Sequence, residues 1–517
     1  MAAAGDLIVR ERLGSMAGGV GEAVDALARD DAVARLRAGD HTLWQEDPTE
    51  VADRLGWLPV VAELQTEVGD LERLAATAAA DGLEHAVVMG MGGSSLFPEV
   101  LWQTFGAADG RLDLRVLDTT DPAAIARVEA EIDLGRTLFI AASKSGTTIE
   151  TTSQLAHFWD RTGGDGSRFV AITDPGTELA SLAAERGFRA VFENRPDIGG
   201  RYSALAHFGL VPGALLGVDV AGILERATAA LEATAPGTDP NPAVRLAAVL
   251  AACASGGRDK LTLVLPDEIA AFGLWLEQLV AESTGKQGTG ILPVAGEDLG
   301  PPEVYGGDRL FVSVGGHPAL DALAEAGHPV VELADADPLD LGALVVLWEQ
   351  AVALASVVLG INPFDQPDVA SAKEATNRVL AEGPPGIELT PVAELLDAVR
   401  PGDYVALTAF VDPGRFELLD GLQAARMAIR DEHQVATTLG IGPRFLHSTG
   451  QLHKGGPPTG VFLQVVGEDP TDVAIPGRDL TFAALKQAQA DGDLLALQAR
   501  GLRAGRVALD DLIGGAR

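Results

Sequence analysis

Two hydrophobic rhythms divide the chain. Up to about residue 80, apolar positions recur at helical spacing, most clearly in 22–37 and 63–80. Between these lie His41-Thr-Leu-Trp44 and the Asp47-Pro48-Thr49 turn, where Pro48 or Thr49 suits a helix start. From His85 the rhythm changes to short apolar runs separated by amphipathic stretches. Residues 86–89, 114–117, 138–141 and 169–172 read as strands buried on both faces, each followed by a helical stretch. A second series has strands at 261–265, 310–314 and 330–333 and helices at 269–284, 318–326 and 339–359. A strand-rich stretch with 404–411, 435–440 and 461–466 follows, and a helical segment at 479–502 closes the pattern. Alternating strands and helices predict an α/β protein with doubly wound parallel sheets. In such sheets ligands bind beyond the carboxyl ends of the strands. The loops after the first and third strands are therefore the first places to look for chemistry.

Composition narrows the function. The formal net charge is −36, with 47% hydrophobic and 22% charged residues, as in a globular protein. A field of that sign repels phosphate-rich polymers and anionic surfaces, so nucleic-acid and membrane partners are not expected. A small anion would need a site built locally from backbone N–H groups and a few cations. Only six lysines are available: Lys144, Lys260, Lys286, Lys373, Lys454 and Lys486. The single cysteine, Cys253, and an opening Met-Ala-Ala-Ala-Gly-Asp without a basic stretch before an apolar core predict a reducing, cytoplasmic setting. The most apolar stretch, 342–360, holds Glu349 and Gln350 near its middle and predicts a buried helix rather than a membrane span.

Six segments carry residues suited to chemistry. Gly90-Met-Gly-Gly93-Ser94-Ser95 ends the first strand, and its glycines let a ligand approach the backbone. It is not the dinucleotide fingerprint. Ser143-Lys144-Ser145-Gly-Thr147-Thr148 ends the third strand and offers hydroxyls, a cation and a helix N-terminus, the needs of a phosphate. Asp197-Ile-Gly199-Gly200-Arg201-Tyr202-Ser203 holds a cation beside paired glycines. In Gln278-Leu-Val-Ala-Glu282-Ser-Thr-Gly285-Lys286, Gln278 and Glu282 are four apart and share a helix face. A carboxylate at the carboxyl end of an apolar helix suits a general base. Asn362-Pro-Phe-Asp365-Gln366 with Lys373, and His447-Ser-Thr-Gly-Gln451-Leu-His453-Lys454, complete the set. The two histidines, six apart with no cysteine or third histidine nearby, argue against zinc and for proton transfer.

Together, in order and approximate spacing from Gly90 to Lys373, these segments resemble glucose-6-phosphate isomerase, and most of all the isomerase half of fused transaldolase–glucose-6-phosphate isomerases. No transaldolase barrel accompanies them. The resemblance implies two sugar-isomerase (SIS) subdomains, each a three-layer α/β/α doubly wound parallel sheet, with helical terminal segments. The divisions are 1–80, 81–225 with the phosphate loop, 226–470 with the histidine block, and 471–517. It further implies an aldose–ketose isomerase of glucose 6-phosphate and fructose 6-phosphate, working through a cis-enediolate without metal or cofactor. By carry-over, Gly93, Ser94, Ser143, Lys144, Ser145 and Thr148 hold the phosphate, and Gly200, Gln278 and Gln366 contact the sugar. Glu282 is the base, Arg201 stabilises the enediolate, and Lys373 with a histidine assists ring opening. The family's histidine precedes its second signature, whereas here the matching block lies beyond Lys373. His447 is the first choice for that role and His453 the second. Alternatives are a non-catalytic sugar-phosphate-binding module, an isomerase with glucose and mannose 6-phosphate specificity or one for an amino-sugar phosphate, and an inactive half of a split transaldolase complex. The expected partner is a hexose 6-phosphate; a homodimer and a transaldolase partner are both compatible.

Overall fold

The computed structural model describes residues 7–514, apart from the side chains at 369, 370 and 372. Its first sheet contains β2 (His85–Met89), β3 (Asp113–Leu117), β4 (Thr137–Ala142), β5 (Phe169–Thr173) and β6 (Ala190–Glu193), ordered β3-β2-β4-β5-β6 and parallel throughout. Val87, Val88, Phe139, Ile140 and Val170 have no exposed surface, because helices cover both faces. Strand order reverses between β2 and β4. The loops leaving those two strands, Gly90–Ser95 and Ser143–Thr148, therefore flank the crevice where such sheets bind ligands.

The second sheet contains β7 (Lys260–Val264), β8 (Leu292–Val294), β9 (Arg309–Val314) and β10 (Val330–Leu333), edged by β1 (Ile8–Arg12) in antiparallel pairing with β10. Two five-stranded sheets of the expected kind are thus present, and a third stands beyond them. β11 (Tyr404–Phe410), β12 (Ala436–Ile441), β13 (Gly460–Val466) and β14 (Arg503–Arg506) form a parallel sheet ordered β12-β11-β13-β14. The strands grouped with the second sheet in the 226–470 division pair instead with one another. The stretches 1–80 and 471–517, expected to be helical, each lend a strand to a sheet edge. β1 and β14 are short and half exposed, so neither carries the apolar run that betrays an inner strand. β6, half exposed at an edge, lacked a strand signal for the same reason, and β8, though buried, is only three residues long with a proline at its centre.

The long apolar helix Leu341–Leu359 is buried, packed against Val220–Ala233 and Pro242–Ser255, as Glu349 and Gln350 led one to expect. Turns of the N-terminal segment pack against the Arg201 segment through aromatic side chains. Trp57 packs on Tyr202 with ring centres 5.0 Å apart, Tyr202 on Phe364 at 5.2 Å, and Trp44 on Phe364 at 5.0 Å. This column backs the Arg201 turn.

Candidate active site

The loop after β4 is a hydroxyl cradle. Ser143 Oγ and Thr148 Oγ1 share a hydrogen bond of 3.0 Å, and Gly146 N–H donates to Ser143 Oγ at 3.1 Å. Ser145 and Thr147 hydroxyls lie 3.1 Å apart on the exposed side. The helix Ile149–Arg161 begins here, so its unpaired N–H groups and dipole face the same space. That space is a cavity of about 320 Å³, whose lining includes Ser145, Thr147, Thr148, Glu150, Lys373 and His447, together with Arg478 and Gln489. Lys144 does not line it. Its ammonium pairs with Asp174 and donates to Pro196 O at 2.8 Å, which ties the cradle to the loop between β6 and the Arg201 turn. Ser94 is buried in the turn after β2 and does not line the cavity either.

The glycines of that turn are contact points. A Cβ on Gly93 would stand 1.9 Å from Gly200 O, and one on Gly92 would stand 2.6 Å from His447 O and 2.9 Å from Gln278 Nε2. Three distant segments therefore meet on one bare backbone.

Glu282 lies on the helix Phe272–Thr284, 6% exposed. Gln278, one turn earlier, donates from Nε2 to Glu282 Oε2 at 3.0 Å and to His447 O at 2.9 Å. On the other side Arg201 Nε stands 3.4 Å from Glu282 Oε2. Arg201 is only 2% exposed, and its fork is fully engaged. It donates to Glu282 O at 2.7 Å, Pro363 O at 2.9 Å and Gln366 Oε1 at 2.8 Å. One guanidinium thus binds together the Gly-Gly-Arg, Glu282 and Asp365-Gln366 segments, and the amide of Gln278 adds the histidine block.

His447 closes the turn Arg444–His447 after β12. Its Nε2 lies 2.9 Å from Glu150 Oε1, and Gln489 Nε2 donates to the same oxygen at 2.6 Å. Burial presses the imidazolium down, but the charge and hydrogen bond of Glu150 outweigh it, so His447 is raised above its ordinary value. Burial pushes Glu150 up, and His447 with the Gln489 amide more than reverses it, so Glu150 is lowered. Arg444 anchors the turn, donating from Nε to Asp118 Oδ2 at 2.6 Å just after β3. His453, by contrast, sits 5% exposed among the rings of Tyr404, Phe445 and Phe462. Burial and Lys454 push it down to about 3, and it does not line the cavity. Of the two histidines, only His447 lines the cavity.

Glu150, Gln489, Arg478 and Arg444 were missed as site residues. Glu150 alone left a trace, as a carboxylate in the first turn of a helix that opens a phosphate cradle. The helix dipole favours a carboxylate there, but its burial at 2% exposure needs a cation or donors to answer it.

A parallel sheet with a hydroxyl cradle at its switch point, facing a carboxylate braced by arginine, defines a sugar-isomerase type of α/β protein. Residues 58–291 match the phosphoglucose isomerase family model. The glucose-6-phosphate isomerase of a Cyanothece species is 30% identical over 401 residues, 65% of this chain and 75% of the relative. The chain belongs to the glucose-6-phosphate isomerase family. The enzyme of that name from Thermosynechococcus vestitus is 31% identical over 344 residues, which is 57% of this chain and 65% of the relative's length. Among solved structures, a hypothetical protein of Thermus thermophilus superposes with a TM-score of 0.62 at 26% identity, covering 72% of this chain and all of its own. A glucose-6-phosphate isomerase from Chlamydia trachomatis shares the fold, with a TM-score of 0.53 at 23% identity over 61% of this chain and 73% of its own.

Proposed function

We propose that this chain interconverts glucose 6-phosphate and fructose 6-phosphate by a proton transfer between C2 and C1. The phosphate sits at the start of the helix Ile149–Arg161, held by the hydroxyls of Ser143, Ser145, Thr147 and Thr148 and by backbone N–H groups. His447, whose charged form Glu150 favours, gives a proton to the ring oxygen as the C1–O5 bond breaks and the anomeric hydroxyl passes its own proton to solvent; Lys373, on the same cavity, assists. Glu282 then takes the proton from C2 of the open-chain aldose and returns it to C1, while the hydroxyl proton of O2 passes to O1. Between these steps the negative charge of the cis-enediolate lies beside Arg201, which is already oriented by its backbone acceptors.

The observation that carries this reading is the double hydrogen bond of Gln278 Nε2, to Glu282 and to His447 O. It ties the helix that carries Glu282 to His447, which lines the cavity at the hydroxyl cradle. The test is fructose 6-phosphate in deuterated water. The native chain should exchange the C1 proton and accumulate glucose 6-phosphate, while Glu282→Gln should bind the sugar yet lose turnover by at least about a thousandfold. Binding without exchange by the native chain would instead mark a sugar-phosphate sensor, and faster turnover of mannose 6-phosphate would move the substrate assignment.

A further inference from the structure

Lys286 has no exposed surface and, like the equally buried Lys486, needs acceptors for its ammonium. It lies four residues beyond Glu282, past the end of the base-bearing helix. Its ammonium donates to Asp365 Oδ1 at 2.7 Å and to Asp365 O at 2.7 Å. The same carbonyl accepts from both terminal nitrogens of Arg201, at 3.3 and 3.2 Å. Two cations therefore share one backbone oxygen, and the nearer of them to the base is Arg201.

We propose that Lys286 is a positioning residue for the isomerase reaction, holding Asp365 so that its carbonyl steers the Arg201 guanidinium against Glu282. The inference rests on the isomerase reading and adds to it a residue that need not touch the sugar. Asp365 lies in a turn with no regular backbone pairing of its own, so its carbonyl needs an outside donor to stay in place. Arg201 cannot supply this alone, because its fork is spread over four further acceptors. The charges facing Lys286 are Arg201, Asp365 and Glu282. Burial and then Arg201 push its ammonium down, against Asp365 and Glu282, to about 8. The clamp is therefore weakened in mildly alkaline solution, when the amine is neutral and no longer attracts the Asp365 carboxylate.

The experiment measures kcat and KM for fructose 6-phosphate from about pH 6 to pH 10 on the full chain and on Lys286→Met, Lys286→Arg and Asp365→Asn. Lys286→Met should lower kcat about 10- to 100-fold with KM within about twofold, since a displaced Arg201 is felt in the transition state. Lys286→Arg should restore most of that loss. The native kcat should decline above pH of about 8. That decline should be missing in Lys286→Arg, whose guanidinium keeps its proton, and should begin at lower pH in Asp365→Asn, which lacks the charge that holds the proton on Lys286. An active native chain with native-like kcat in Lys286→Met overturns this inference alone. If Lys286→Met does not fold, the same alkaline decline in the native chain and in Lys286→Arg overturns it. A native chain that binds the sugar without isomerising it overturns the isomerase reading and this inference with it.

Discussion

Replacing Gly93 by alanine inserts one methyl group where two backbones touch. Gly93 has a φ that any residue adopts, so the substitution adds no backbone strain and acts through volume alone. The new Cβ would stand 1.9 Å from Gly200 O, 2.3 Å from its carbonyl carbon and 2.8 Å from its Cα. Ordinary contact begins at 3.4 Å, so the two segments must part by about 3.4 − 1.9 = 1.5 Å. Neither is a side chain that can rotate aside. The peptide that must move leads directly into Arg201, whose Nε stands 3.4 Å from Glu282 Oε2. An error of that size in a charge that must face a developing enediolate costs about a hundredfold in rate, or about 2.7 kcal/mol in the barrier. Overpacking itself costs about 1–3 kcal/mol of stability. Steady-state kinetics on fructose 6-phosphate and thermal unfolding read the two effects separately. Gly200→Ala is the control for stability, because its Cβ meets nothing within 4 Å, and its Tm should match the native one. A Gly93→Ala chain with kcat within about threefold of native would refute the claim that Arg201 is held by this contact.

Three further outcomes follow from the same geometry. His447→Ala should lose more activity on the cyclic sugar than on the open-chain form, compared by stopped-flow on anomer-defined substrate; equal losses would remove its ring-opening role. The His447–Glu150 pair should shape stability with pH. The raised histidine stabilises fully below its unfolded value of 6.5 and ceases to as pH climbs through its folded value, while the lowered glutamate stabilises above 4.5 and ceases to as pH falls through its own. Glu150→Gln should therefore cost most in urea unfolding between pH 4.5 and 6.5 and less at about pH 9; a cost independent of pH would contradict the pairing. Lys144→Met should lower kcat as well as raise KM, because Lys144 ties the cradle to the Pro196 carbonyl near the Arg201 turn; a change in KM alone would return it to the phosphate.

The parallel strands were legible because both their faces are covered, so that β2, β4 and β5 announce themselves as unbroken apolar runs. The edge strands were not, since β1 and β6 expose half their residues and read like any polar segment. Local geometry carried over well at the site. The spacing of Gln278 and Glu282 placed them on one helix face, and their side chains do bond. Non-local geometry did not carry over. Lys144 stands inside the phosphate motif yet turns toward Asp174, a partner thirty residues away whose position no spacing rule encodes. Glu150 needed a cation from a segment 297 residues distant before its burial made sense.

That separation explains how the histidine can stand beyond Lys373 in the chain. What the proposed ring opening requires is an imidazole at the rim of the cradle, and the turn after β12 of the third sheet delivers one from outside both earlier sheets. The turn that carries it is fastened at several points to elements that precede it. Arg444 grips Asp118 after β3, Gln278 holds the His447 carbonyl, and Glu150 faces the ring. Gly92 and Gly285 leave room for the block itself, since a Cβ on either would strike His447 or Leu452 backbone within 2.6 Å. Each fastening is a short polar bond or a bare backbone contact, and none depends on the order in which the chain supplies its partners. The position of the ring is set by those contacts, so a block moved along the sequence keeps its role as long as its sheet can dock against the same partners.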